Sequence, residues 1–292
     1  MIEIRSLCKS YGKTPVLQDV NLNIPQGSVF GMVGINGAGK STLLRLMAGV
    51  LKADKGGVCY EGQDVFENEQ VKKDIFFLPD DPYYSTGTTG QELARLYSAF
   101  YRFDENIFSS RCELFRLDKK APLRNFSKGM RRQMFLSLAL ASRPRFLLLD
   151  EAFDGLDPQS RLEFKRALIS LTEEQNFTTV IASHSLRELT DICTHFALIS
   201  GGRVADSGDL QEKLGAVYKF QIGLSEEASP ALFPFPCLKC ECSGRVAQII
   251  VRGNREEIVQ KLEALSPLFV EEIPVDFEEY FLIEADKGRE RK

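Results

Sequence analysis

The sequence predicts an α/β fold: a mainly parallel sheet with an antiparallel lead-in, an inserted helical segment and a small α+β appendage. Three observations carry this. Short apolar runs bounded by turn residues alternate with helical patterns along much of the chain. Strand signals stop between Thr89 and Arg143, where helical patterns take over. Beyond Gly215 a second, shorter set of strand and helix signals begins.

The elements follow in order. Ile2 to Leu7, Val16 to Ile24 and Gly57 to Gly62 read as antiparallel strands joined by turns. Val29-Phe30-Gly31-Met32-Val33 is a short apolar run, hence a buried strand, and a helix follows from Lys40 to about Met47. Further strands are expected at 75–78, 146–149, 179–182 and 196–199. In the insert, Thr89 and Glu92 have the spacing of a capping box. A second helix covers Glu105 to Arg116; a third starts after Ser127, a good N-cap, and ends before Pro144. The expected organisation is a domain over residues 1–214, its helical subdomain at about 85–145, and an α+β accessory domain over 215–292. The latter holds strands near 218–222, 246–251 and 270–274, a helix from Arg255 to Leu265, and a closing segment Phe277 to Ile283.

Composition narrows the function. With 43% apolar and 27% charged residues, the chain of 292 residues is of ordinary globular type. It has no apolar run of about 18 residues or more. Met1-Ile2-Glu3-Ile4-Arg5 carries charge where a signal peptide needs an apolar core, so a cytoplasmic location is expected. Lys and Arg total 37 against 41 Asp and Glu, and no basic tract offers a footprint for nucleic acid. Of seven cysteines, Cys237, Cys240 and Cys242 cluster as C-x-x-C-x-C. Structural zinc takes four ligands, and the two histidines, His184 and His195, are remote in sequence. The cluster therefore reads as a Cys-rich strand or turn.

The chemistry lies in Gly34-Ile35-Asn36-Gly37-Ala38-Gly39-Lys40-Ser41-Thr42, which fits G-x-x-x-x-G-K-[ST] between a strand and a helix. Glycines let backbone N–H groups converge on phosphate oxygens, and the helix start adds partial positive charge. Lys40 is expected to reach the β- and γ-phosphates of ATP, and the Ser41 hydroxyl to ligate Mg²⁺. Such a loop needs a carboxylate on a neighbouring strand for the metal. Asp150, closing the run Phe146 to Leu149, supplies it, and Glu151 follows where it would polarise the attacking water.

With these motifs in place the chain resembles the ABC ATPase family over about Met1 to Gly208, and further motifs appear in that family's order. Tyr11 matches the aromatic that stacks on adenine. Phe126-Ser127-Lys128-Gly129-Met130 stands at the signature loop, Gly155-Leu156-Asp157-Pro158 at the D-loop, and His184 at the switch histidine that contacts the γ-phosphate. The resemblance implies a P-loop NTPase core. It also implies a head-to-tail dimer, in which Ser127, Gly129 and Asp157 of one subunit face nucleotide held by the other.

Two motifs depart from the family pattern. The signature has Lys128 for the usual glycine and Met130 for the usual glutamine. The glutamine of the Q-loop is replaced within Pro79-Asp80-Asp81-Pro82. Asp80 aligns best, then Asp81; they read either as Mg²⁺ ligands or as solvated residues of an Asp-Pro turn.

The resemblance implies an ATP-hydrolysing motor subunit of an exporter-type transporter for a drug, peptide or lipid-like substrate. The degenerate signature, the acidic Q-loop and the segment Asp276-Phe277-Glu278-Glu279-Tyr280-Phe281 are similar to that branch. The partners implied are a membrane permease subunit, which would hold the protein at the inner face of the membrane, and a second ABC ATPase, identical or not. The alternative is a non-transport ABC ATPase acting as a regulatory ATP-dependent clamp; Glu151 and His184, both hydrolytic groups, argue against a clamp without turnover. Tyr83 and Tyr84, after a proline in the Q-loop, are expected to receive a permease helix, and Tyr97 and Phe100 to sit in the core of the helical subdomain.

Overall fold

In the computed structural model, which describes residues 1–275 and 278–283, the chain opens with two antiparallel strands, β1 (Ile2–Tyr11) and β2 (Thr14–Ile24). Their register runs from Ile2 opposite Ile24 to Tyr11 opposite Thr14. β3 (Val29–Val33), buried along its whole length, leads through the loop 34–39 into α1 (Lys40–Met47). β4 (Lys55–Tyr60) and β5 (Gln63–Asp64) return to complete a four-stranded sheet in the order β2-β1-β4-β5. One face of this sheet packs Ile2, Ile4, Leu7, Val20 and Leu22 into the same core as Leu43, Leu44 and Met47 of α1.

A short α2 (Glu69–Lys72), capped by Asn68, precedes β6 (Ile75–Leu78). The helical insert follows as α3 (Gly90–Ser98), α4 (Glu105–Leu114) and α5 (Lys128–Ala141). Thr89 and Glu92 close the expected capping box, and Ser127 caps α5 by accepting from the Met130 N–H. α3 and α5 approach closely: a Cβ on Gly90 would lie 2.6 Å from the Met134 sulfur. Tyr97 is half-buried against Phe76, whereas Phe100, expected in the core, is 66% exposed. The helix turns at its C-terminus so that Tyr101 bonds the Ile75 carbonyl oxygen, at 2.9 Å, and Phe100 faces outward.

The chain then completes the main sheet with β7 (Phe146–Asp150), α6 (Pro158–Gln175), β8 (Thr178–Ser183), α7 (Leu186–Thr190), β9 (His195–Ser200) and β10 (Arg203–Asp209). The sheet order is β10-β9-β3-β8-β7-β6. Pairing is parallel from β6 through β7, β8 and β3 to β9. β3, β7 and β8 are buried along their whole length rather than at alternate residues because both faces of such a sheet are covered.

Two units divide the chain, Met1–Ser207 and Gly208–Lys292, a boundary somewhat before Gly215. The second unit contains α8 (Leu210–Gly215), β11 (Val217–Gly223), β12 (Cys237–Ser243), β13 (Val246–Arg252), α9 (Arg255–Glu263) and β14 (Phe269–Ile273). Its sheet is antiparallel in the order β12-β13-β11-β14, and Phe220, Ile222, Ile249 and Val251 pack against Ile258 and Leu262 of α9. Residues 278–283 are helical, with Tyr280 buried; Asp276 and Phe277 lie outside the described residues. Among the described residues no helix is long and apolar enough to cross a membrane.

Candidate active site

The parallel strands end together. Val33 pairs with Ser183, Ala182 with Asp150, and Leu149 with Leu78. The loops after β3, β8, β7 and β6 therefore emerge side by side, and they carry Gly34, His184, Glu151 and Asp80. Ligands of open α/β sheets bind at this carboxyl end of the strands.

The phosphate-binding loop is shaped by close packing beneath it. A Cβ on Gly34 would lie 2.4 Å from the Ile199 carbonyl oxygen. Gly39, the N-cap of α1, has φ +106° and no room for a side chain against Leu17. Asn36 and Gly37 form the exposed tip, while Ala38, Lys40 and Thr42 are buried. The Lys40 ammonium donates to the Gly34 carbonyl oxygen at 2.7 Å and stands 3.9 Å from Glu151 Oε1. Burial pulls its pKa down, against the charges of Glu151 and Asp150.

Ser41 donates to Asp150 Oδ1 at 3.1 Å. Asp150 is 2% exposed, and burial pushes its carboxyl pKa up, opposed by the Ser41 hydrogen bond. A buried hydroxyl–carboxylate pair of this kind is an oxygen donor set suited to Mg²⁺. Glu151 has φ +47°, a conformation rare for a side-chain-bearing residue, held by its N–H donating to the Ala182 carbonyl oxygen at 2.9 Å. Its Oε2 lies 2.9 Å from His184 Nδ1.

A second group forms where α5 and α6 begin. Ser127 caps α5, and Lys128 pairs with Asp154 at 2.6 Å. A Cβ on Gly129 would lie 2.8 Å from the Gly155 carbonyl oxygen, so the two backbones are in contact there. Asp157 caps α6 by accepting from the Ser160 N–H, and Gln133 donates to Ser160 Oγ at 2.7 Å. Tyr11 ends β1 with its ring about half exposed, open to stacking.

Asp80 meets a partner that neither reading of the sequence named. Its carboxylate accepts from Arg132 Nη2 at 2.7 Å instead of joining Ser41 and Asp150. Arg132, 5% exposed, also donates to the Asp80 and Pro79 carbonyl oxygens, at 2.7 and 3.3 Å. Asp81 is exposed. The role of Arg132 has a signal in the sequence: it heads an apolar stripe through Phe135, Leu136 and Ala139 on α5. A charge there calls for a partner, and the acidic loop provides one.

Strand order, phosphate loop and acidic pair define a P-loop nucleotide hydrolase with an inserted helical subdomain. A family model described as ABC transporter matches residues 17–154. The lantibiotic transport ATP-binding protein SrtF of Streptococcus pyogenes is 30% identical over 70% of this chain and 89% of its own. The bacitracin transport ATP-binding protein BcrA of Bacillus licheniformis is also 30% identical, over 70% of this chain and 69% of its own. The ABC transporter ATP-binding protein YtrB of Bacillus subtilis is 28% identical over 97% of both chains, so that likeness extends through the second unit. Among solved structures, an ATP-binding subunit of an ABC transporter has a TM-score of 0.67 at 25% identity, over 73% of this chain and 91% of its own. A dimeric ATP-binding cassette bound to ADP and Pi shares the fold, with a TM-score of 0.65 at 22% identity over 72% of this chain and 99% of its own. The chain belongs to the ABC transporter ATP-binding family and is an ATPase of that family.

Two predictions follow from the site's charges. Asp150→Asn removes a carboxylate whose ionisation burial opposes. The nucleotide-free variant should melt higher by about 2–4 °C, the shift that about 1 kcal/mol gives in a domain of this size, and should lose Mg²⁺-dependent nucleotide affinity. The raised pKa sets the sign: wild type loses stability as pH rises from the ordinary carboxylate value, near 3.8, through the folded value. The gap should therefore close in acid; calorimetry across pH with and without ATP-Mg²⁺ reads all three effects. In the second, Asp80→Ala should leave the Mg²⁺ concentration for half-maximal activity unchanged. Arg132→Met should cost about 1–3 kcal/mol in a denaturant melt, because it leaves loop acceptors without their donor. A rise in the Mg²⁺ requirement of Asp80→Ala would return Asp80 to the metal.

Proposed function

We propose that this chain is the ATP-hydrolysing motor of an exporter-type transporter, acting on a separate membrane permease for a peptide, drug or lipid-like substrate. The observation that carries the motor reading is the gathering of Lys40, Ser41, Asp150, Glu151 and His184 at the ends of adjacent strands, with Ser41 bonded to Asp150 at 3.1 Å, His184 to Glu151 at 2.9 Å, and Lys40 3.9 Å from Glu151. The relatives named for lantibiotic and bacitracin transport support export.

In this reading Tyr11 stacks on adenine, and residues 34–42 hold the phosphates through backbone N–H groups and the start of α1. Lys40 exchanges its carbonyl partners for phosphate oxygens, a charge-assisted contact. Ser41 and Asp150 would hold Mg²⁺, and the ion would supply positive charge beside the phosphates. Glu151 Oε2 takes the proton of the attacking water, and His184, fixed through Nδ1, presents Nε2 to the γ-phosphate. Ser127, Gly129 and Asp157 contact nucleotide held by a second cassette, identical or not, so that binding closes a head-to-tail dimer and hydrolysis opens it.

The permease surface in this reading is a groove of about 290 Å³ between the acidic loop and α5, lined by Tyr84, Arg131 and Phe135 among others. Tyr83 beside it is 94% exposed, and the Tyr84 ring lies 6.0 Å from that of Phe135. Aromatic and arginine side chains are common interface anchors. A permease seated there holds the protein at the cytoplasmic face of the membrane.

Glu151→Gln should keep ATP binding while slowing turnover by a factor on the order of 10² or more. With ATP-Mg²⁺ it should sediment as a dimer that Ser127→Arg prevents. A monomer at saturating ATP, alone and with a second cassette, would contradict the dimer. Tyr83→Ala combined with Tyr84→Ala should remove permease-stimulated hydrolysis and spare the basal rate, measured in vesicles with the co-purified permease. Normal stimulation of that double variant would place docking elsewhere.

A further inference from the structure

Three of the seven cysteines fall within six residues of one strand, β12. Strand periodicity puts Cys240 and Cys242 on one face and Cys237, three residues before Cys240, on the other. A bulge changes this. Along the ladder Cys237 pairs with Val251 and Lys239 with Ile250, so one extra residue is absorbed between them. Cys240 then pairs with Ile249 and Cys242 with Ala247. Their three partners alternate along β13 and all belong to the unit's core, so the three thiols lie on the core-side face.

β12 is an edge strand, and its row of sulfurs runs from the core into solvent. Cys237 and Cys240 are half-buried against the core, and Cys242 is exposed. The sulfurs of Cys240 and Cys242 are 3.8 Å apart. Glu241, between them, pairs with Lys239 at 2.7 Å. Core packing accounts for Cys237 and Cys240. It does not account for an exposed thiol set against a second one, an arrangement soluble surfaces avoid.

We propose that Cys240 and Cys242 form a two-sulfur site for a soft monovalent cation, Cu(I), with Cys237 the next sulfur along the row. A metal–thiolate bond is about 2.3 Å long, so two sulfurs on one ion lie within about 4.6 Å of each other. The observed separation falls inside that limit, and the two side chains need only rotate. Among the described residues no three His, Cys, Asp or Glu side chains are arranged to hold a metal ion, which is against a preformed zinc centre. Both histidines belong to the first unit. The donor set is sulfur alone, which selects soft ions. Binding replaces two S–H bonds by two S–Cu bonds and releases two protons to solvent; copper stays Cu(I), and no electron is transferred.

The test is an anaerobic titration of the reduced full-length chain with Cu(I) held by the chromophoric chelator bicinchoninate. Wild type should withdraw one Cu(I) per chain, develop an ultraviolet sulfur-to-copper band, and lose two thiols to a disulfide-type thiol reagent. Cys240→Ser combined with Cys242→Ser should lose all three signals, and Cys237→Ser should keep the stoichiometry. Far-ultraviolet circular dichroism verifies that each variant is folded. Equal withdrawal by wild type and the double variant overturns the proposal, as does a wild-type chain that leaves Cu(I) on the chelator.

Discussion

The site depends on the in-register ending of the parallel strands β3, β8, β7 and β6. Hydrogen bonding between them sets Val33, Ser183, Asp150 and Leu78 near one level. The residues that follow are therefore neighbours in space, although Gly34 and His184 are far apart in the chain. Moving one of these strands by a single residue would reverse its faces and carry its functional residue out of reach. The unbroken apolar runs of β3 and β7 thus do more than fill the core: they hold the register on which the site is built.

The charged groups at this end stand in costly surroundings. Lys40 is buried on carbonyl oxygens, Asp150 is buried with a hydroxyl, and Glu151 has a left-handed backbone. Each of these features opposes stability when nothing is bound. Such sites exchange folding stability for readiness to bind.

The first turns of α5 form a junction. Lys128 reaches Asp154, Gln133 reaches Ser160 at the start of α6, and Arg132 holds the loop after β6. The helix capped by Ser127 is thereby tied both to the acidic loop and to the segment after Glu151. In the motor reading, a permease that moves the acidic loop also moves the end of α5 that faces the partner cassette's nucleotide. Lys128 and Asp80 stand where the family pattern has uncharged residues, and each has a charged partner inside the same unit. These two charged departures therefore form specific ion pairs.

Much of this was legible in the sequence because it is local. The phosphate loop is contiguous, its helix starts at Lys40, and Asp150 and Glu151 close a run of four apolar residues; periodicity and spacing within a few residues suffice for such features. The capping box at Thr89 and the cap at Ser127 are local in the same way. What depended on distant residues was not legible. The partner of Asp80 lies 52 positions away on α5, the outward turn of Phe100 follows from the bond of Tyr101 to β6, and the common face of Cys237, Cys240 and Cys242 follows from a bulge against β13. The sequence by itself determined which residues form strands, helices and the phosphate loop, since those follow from backbone preference and the alternation of polar and apolar side chains. Only the tertiary structure decided which charges meet, because ion pairs and shared faces depend on strand order, register and helix approach.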